Sequence, residues 1–230
     1  MNEAPKKSIF ITDDHPVFRM GLRELVNAQP DLAVAGEATS LEEAKQRLET
    51  MTPDAVVIDL ALGDTSGLEL VRWLGKRDRI IPSLVVSMHD EALFADRALR
   101  TGAQGYLMKD SDPEILLDGI RKVLSGEQVV SPSLSAAWTR GGADPLGKAE
   151  DPLARLSTRE MEVFELMGRG LRTREISQQL SISVKTVETH QSNTKQKLGL
   201  TNATQLLRAA LAWQNGIRLD PGQPGNRELR

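Results

Sequence analysis

The 230-residue chain contains no cysteine, which excludes disulfide bridges, thiolate metal sites and cysteine nucleophiles. Aromatic residues are scarce at 3%, so any core must be built from Leu, Val, Ile, Ala and Met. Nowhere does the sequence hold the roughly 20 consecutive apolar residues of a membrane-spanning helix. The segment from Met1 to Lys7 is polar and lacks the apolar middle of a secretory signal. Internal repeats are missing too. These absences set the expectation of a cytoplasmic protein with no membrane partner. What remains is globular stock, 40% apolar and 27% charged, in a chain long enough for two domains.

The net charge of −3 hides an asymmetry. Residues 1–130 carry 15 Lys/Arg against 22 Asp/Glu, whereas residues 153–211 carry 9 against 5. An acidic half beside a basic half implies that only the second half meets a polyanion.

Along the first half, short apolar runs alternate with helical spacing. Ser8–Thr12, Leu32–Gly36, Ala55–Asp59, Ile81–Ser87 and Gly105–Met108 read as strands. Between them, Val17, Leu22, Leu25 and Val26 recur at helical intervals, as do Leu68, Val71 and Leu74, and then Ile115, Leu116, Ile120 and Val123. This alternation predicts an α/β fold, a doubly wound five-stranded parallel sheet covered by helices on both faces. From about Ser125 to Pro152 periodicity stops among prolines, glycines and serines, as in an interdomain linker partly ordered against one domain. Helical spacing returns until about Trp213, and the Pro- and Gly-containing end reads as a flexible tail.

In such a sheet, ligands bind beyond the carboxyl ends of the strands, where strand order reverses. Asp13 and Asp14 follow the first strand, Asp59 closes the third, Ser87 the fourth, and Lys109 follows the fifth. Three carboxylates at one edge repel each other unless a cation intervenes, and hard oxygen ligands suit Mg²⁺. Lys109 adds a mobile positive charge and Ser87 a hydroxyl donor, the parts needed for phosphoryl transfer onto Asp59. Taken singly, each residue has a plainer reading. Asp13 and Asp14 could cap a helix starting near Pro16, Asp59 could be a loop acid, and Lys109 a solvated charge. His15 and His89 read as ordinary loop residues.

Taken together, Asp13-Asp14, Asp59, Ser87 and Gly102-Ala-Gln-Gly-Tyr-Leu-Met-Lys109 resemble the receiver domain of two-component response regulators. The resemblance covers residues 8 to about 125 and implies a flavodoxin-like fold. It implies Asp59 as phosphoacceptor, Asp14 as a direct Mg²⁺ ligand and Asp13 as a ligand through water, with the carbonyl of Ala61 as a further oxygen. It also implies Ser87, Tyr106 and Lys109 as the residues that sense the phosphoryl group, and a sensor histidine kinase as partner. One departure stands out. Gly63 occupies a position where the family usually has proline, which would loosen the loop beside Asp59.

In the basic half, Ser157 with Glu160 makes a capping-box signature before a helix through Met161, Phe164 and Met167 that Gly168 and Gly170 end. Arg172–Leu180 reads as a short helix, Ser181–Ser183 as a turn and Val184–Leu198 as a longer helix, the helix-turn-helix arrangement. Its second helix would enter the major groove. The runs Leu156–Glu160, Gly170–Ile176, Ser183–His190 and Lys197–Gly199 resemble the LuxR-type DNA-binding domain. With the receiver in front, the whole chain is similar to NarL/FixJ-type response regulators. That likeness implies an all-α, four-helix second domain whose last helix, Asn202–Trp213, makes a homodimer that reads paired half-sites in double-stranded DNA.

The domain reading is a receiver over 1–125, a linker over 126–152, the DNA-binding domain over 153–215 and a tail over 216–230. Candidate DNA contacts are Arg172, Lys185, Thr186, Glu188, Thr189, His190, Ser192 and Lys195, with the cations on phosphates. Glu188 is the informative one, because a carboxylate can help only by accepting from a cytosine amino group. The expected function is a DNA-binding response regulator that accepts a phosphoryl group as a switch and is not a turnover enzyme. Two alternatives are a stand-alone phosphotransfer enzyme using the same acids and a DNA-binding regulator that works without phosphorylation.

Overall fold

Five short runs become strands, with β-branched residues concentrated in the central ones. They are β1 (Lys7–Thr12), β2 (Leu32–Ala38), β3 (Ala55–Asp59), β4 (Ser83–Ser87) and β5 (Gly105–Met108). The computed structural model describes residues 5–63, 65–89, 91–132, 134–136 and 152–214, so the expected tail and much of the expected linker lie outside the described residues. The fourth strand begins at Ser83 rather than at Ile81, since Pro82 has no N–H to give to a ladder. All pairings in the sheet are parallel, in the order β2-β1-β3-β4-β5. Every residue of β3 and β4 is buried, as strands covered on both faces must be.

Between the strands run α1 (Pro16–Asn27), α2 (Leu41–Thr50), α3 (Gly67–Leu74), α4 (Glu91–Thr101) and α5 (Pro113–Leu124). Leu22 and Val26 of α1 and Leu116, Leu117, Ile120 and Val123 of α5 pack with Ile9, Ile11, Val57, Leu84 and Val86 in one core. Phe10, Val56, Ile58 and Val85, alternating with these along their strands, are fully buried and point to the opposite face. Two residues depart from the helical spacing. Val17 is 78% exposed and Ile115 is 42% exposed. At about 100° per residue, Val17 lies about 140° around α1 from Leu22, and Ile115 the same angle around α5 from Ile120. Both sit off the buried stripe.

Two details shape the edges of the sheet. The N-terminus of α3 presses so closely on the end of β3 that a Cβ at Gly67 would fall 1.9 Å from the backbone oxygen of Asp59, so only glycine fits. At the other edge, Val129 forms a parallel bridge to Gly105 and is only 7% exposed, so the chain past α5 returns to the sheet.

The chain divides into two units, Met1–Gly147 and Lys148–Arg230. In the second, a short 3-10 turn (Pro152–Arg155) precedes α6 (Thr158–Gly168), α7 (Thr173–Gln179), α8 (Val184–Leu198) and α9 (Ala203–Gln214). The expected capping box is present. Ser157 Oγ accepts from Glu160 N at 3.2 Å and Glu160 Oε2 accepts from Ser157 N at 2.6 Å. A box of this kind contributes about 1 kcal/mol. Phe164, Ile176, Val187, Leu206 and Ala210 are all but fully buried, which joins one residue or more from each of the four helices in one core. Lys197 Nζ, 2.6 Å from Glu160 Oε2, ties the end of α8 to the start of α6.

Candidate functional site

Strand order reverses between β1 and β3, and the crevice above their carboxyl ends collects the acids. Asp13 follows β1 and Asp59 ends β3, and their side chains are each 3% exposed. Asp14 sits at the rim. Neither Asp13 nor Asp14 caps α1. The cap position belongs to His15, and Asp13 Oδ1 instead accepts from His15 N at 2.7 Å, which turns the loop inward. Lys109 follows β5, and its ammonium lies 2.7 Å from both Asp13 Oδ2 and Asp59 Oδ2.

Ligand atoms of Asp13, Asp14, His15 and Asp59 lie within 4.8 Å of one another. Three carboxylates against one ammonium leave two negative charges, the balance of one divalent cation. Asp14 Oδ1 is buried and has no hydrogen-bond partner among the described residues; His15 Nδ1, 2.9 Å away, makes a contact without hydrogen-bond geometry. An orphaned anionic oxygen is costly unless a cation meets it. The donor set is all oxygen apart from one imidazole nitrogen, which fits Mg²⁺. Burial pushes the Asp59 carboxyl up to about 6; the Lys109 ammonium opposes that rise and the Asp13 carboxylate adds to it. At neutral pH Asp59 is therefore mostly ionised, as a nucleophile must be.

Ser87 is fully buried, and its Oγ accepts from His89 N at 3.1 Å. His89 O in turn accepts from the hydroxyl of Tyr106 at 2.8 Å, while the Tyr106 ring is fully buried. Ser87 and Tyr106 are thus joined through one residue.

In the second unit, Ser181 takes φ +54° at the turn between α7 and α8. Ser183 caps α8 by accepting from Thr186 N at 3.0 Å. Lys185, Glu188, Thr189 and Ser192 form an exposed stripe along α8, whereas Thr186, His190 and Lys195 are half-buried. Arg172 is exposed at the start of α7, its backbone N–H donating to Glu175 Oε2 at 2.7 Å.

A family model described as the response regulator receiver domain matches residues 9–121, and one described as bacterial regulatory proteins of the luxR family matches residues 154–210. The nitrate/nitrite response regulator protein NarL of Escherichia coli strain K12 is 31% identical over 222 residues, covering 95% of this chain and 100% of NarL. The transcriptional regulatory protein UhpA of the same strain is 32% identical, over 87% of this chain and 96% of UhpA. This chain belongs to the NarL/FixJ-type response regulators. Among solved structures, a LuxR-family response regulator from Aurantimonas is 35% identical with a TM-score of 0.56, covering 60% of the regulator and 99% of that chain. RcsB of Salmonella enterica serovar Typhimurium, at 24% identity and a TM-score of 0.56 over 90% of the regulator and 99% of RcsB, shares the fold.

Phosphorylation-dependent control of transcription is the function of this family, and the regulator carries both domains it requires. Receiver domains bind Mg²⁺ in an acidic pocket, and the regulator has the acid cluster in that place. Sequence reasoning overlooked three features. His15 is no plain loop residue, since its Nδ1 lies 3.5 Å from Asp59 Oδ2 and 3.4 Å from Lys109 Nζ. Its place directly after two pocket acids was the available signal. Asn193 and Gln196 are exposed on the same face of α8 as Thr189 and Ser192, and extending the three-and-four spacing would have found them. The third is a bond at Gly63, whose N–H donates to Asp14 Oδ2 at 2.9 Å.

Proposed function

We propose that the regulator is switched by transfer of one phosphoryl group to Asp59 from a partner sensor histidine kinase, and that the switch controls dimerisation and binding to paired half-sites in double-stranded DNA. An Asp59 carboxylate oxygen attacks phosphorus, the bond from phosphorus to the donor's leaving atom breaks, and the donor departs with that electron pair. The observation that carries this reading is the Lys109 ammonium set 2.7 Å from Asp59 in a pocket with two further acids. Asp14 would hold Mg²⁺ directly and Asp13 through water, and Asp59 and the Ala61 carbonyl would complete the oxygen set. The bound ion supplies charge neutralisation at the phosphoryl oxygens. Lys109 follows a phosphoryl oxygen as the second cationic contact.

Ser87 and Tyr106 report the event. A phosphoryl oxygen that draws the Ser87 hydroxyl takes an acceptor from His89 N–H, and the carbonyl of His89 is what holds Tyr106. Tyr106 N also donates to Val129 O at 2.8 Å, which continues the path into the chain past α5. Residues 1–125 act as the receiver, 126–152 as the linker, 153–215 as the DNA-binding domain and 216–230 as a flexible tail. The regulator works in the cytoplasm, where kinase output and DNA meet.

Arg172, Lys185 and Lys195 contact phosphates, and Thr186, Thr189, His190 and Ser192 line the groove. Glu188, exposed on the stripe, accepts from a cytosine amino group. Glu188→Ala is expected to relax preference at one C·G pair by about 1–3 kcal/mol. Selection of binding sites from random DNA checks this, and an unchanged consensus contradicts it. The regulator is a switch and not a turnover enzyme. Incubation with excess small phosphodonor should stop at one phosphoryl group per chain; continuous release of many phosphates per chain would favour a phosphotransfer enzyme.

A further inference from the structure

We propose that Gly63 is a positioning residue for the metal pocket, holding the Asp14 carboxylate in place through its backbone N–H. The inference rests on the reading of Asp14 as a Mg²⁺ ligand. Gly63 stands at the tip of a small antiparallel ribbon in which Ala61–Leu62 pairs with Thr65–Ser66. Its φ is +57°, the left-handed region that side chains avoid. Room is not the reason for glycine here, because a Cβ at this position would meet nothing within 4 Å among the described residues. The conformation itself is the reason: it turns the N–H toward Asp14 Oδ2, 2.9 Å away.

Asp14 needs such a hold. Its side chain is 30% exposed, against 3% for Asp13 and Asp59, so packing restrains it least of the three. With Oδ2 bound to Gly63, the buried Oδ1 remains inside the acid cluster without a hydrogen bond among the described residues. One oxygen is anchored by Gly63, and the other faces the acid cluster with His15 Nδ1 2.9 Å away. Hydrogen bonds to a charged acceptor are the stronger kind, and orienting a ligand before the ion arrives removes an ordering cost from binding. Proline is the residue least able to do this. It has no N–H, and its ring locks φ near about −65°.

Isothermal calorimetry of Mg²⁺ binding by the full chain tests the proposal, using wild type, Gly63→Pro and Gly63→Asn. Asparagine keeps the N–H and tolerates left-handed backbone better than other side chains. Gly63→Pro should weaken Mg²⁺ binding about tenfold, while Gly63→Asn stays within about twofold of wild type. Thermal melts in EDTA should show Gly63→Asn folded and supply the control if the proline variant fails to fold. In that event Gly63→Asn binding carries the test, since affinity near wild type supports the N–H and a tenfold loss overturns it. Equal affinity in wild type and Gly63→Pro also overturns the role of Gly63. A wild type that takes no Mg²⁺ overturns the reading of the pocket itself, a distinguishable failure.

Discussion

Asp59→Asn should take up no phosphoryl group from a small phosphodonor under conditions where wild type takes up one. The amide is nearly the shape of the carboxylate, so the fold around it should survive. Lys109 keeps its partner in Asp13 at 2.7 Å, and Ala61 N keeps an acceptor where Asp59 Oδ1 stood at 3.3 Å. What disappears is the anionic nucleophile, and a neutral amide oxygen does not replace it. The substitution also removes a buried charge whose carboxyl burial had pushed up to about 6, so stability at pH 7.5 should hold or rise. Intact mass after acetyl phosphate and Mg²⁺ reads the result. Label retained in Asp59→Asn would mean that Asp13 or Asp14 is the acceptor.

Lys109→Met should produce the second large effect, on stability and not only on signalling. The Lys109 side chain is 4% exposed and is the ammonium that separates two buried carboxylates. Methionine fills most of the same volume without the charge. Removing one partner from a buried ionic cluster typically costs about 3–5 kcal/mol. The sign with pH follows from Asp59, whose folded pKa is raised from 3.8 to about 6. A raised carboxyl is more stable protonated in the fold, so stability is present below about pH 4 and is lost as pH rises through about 6. Without Lys109 that loss deepens. Urea melts in EDTA should therefore show a deficit larger at pH 8 than at pH 5, and Mg²⁺ should recover much of it by supplying the missing positive charge. A deficit independent of both pH and Mg²⁺ would show that Lys109 serves packing rather than charge balance.

Much of this architecture is legible in the sequence, for an identifiable reason. Strands buried on both faces must be almost wholly apolar, so β3 and β4 announce themselves, and the first polar residue after each apolar run lies at the sheet's carboxyl edge. That is how Asp13, Asp14, Asp59, Ser87 and Lys109 could be gathered from distant parts of the chain. The capping box of α6 was legible because its two partners lie three residues apart. What escaped depends on rotation or on backbone. Val17 and Ile115 fall among apolar neighbours, and only the angle around the helix shows that they face outward. The bond from Gly63 N–H to Asp14 spans 49 positions and uses no side chain of Gly63, so residue chemistry could not signal it. The return of Val129 to the sheet edge is likewise a backbone event, in a segment whose composition reads as linker.

One measurement bears most directly on the account, namely the affinity of the full wild-type chain for DNA carrying paired half-sites, titrated at fixed salt before and after stoichiometric phosphorylation. Affinity should rise at least about tenfold on phosphorylation in the presence of Mg²⁺, and Asp59→Asn in the same mixture should not respond. Identical binding curves for the phosphorylated and unphosphorylated chain, with the phosphoryl group verified by mass on Asp59, would contradict it and leave a DNA-binding protein that ignores its own switch.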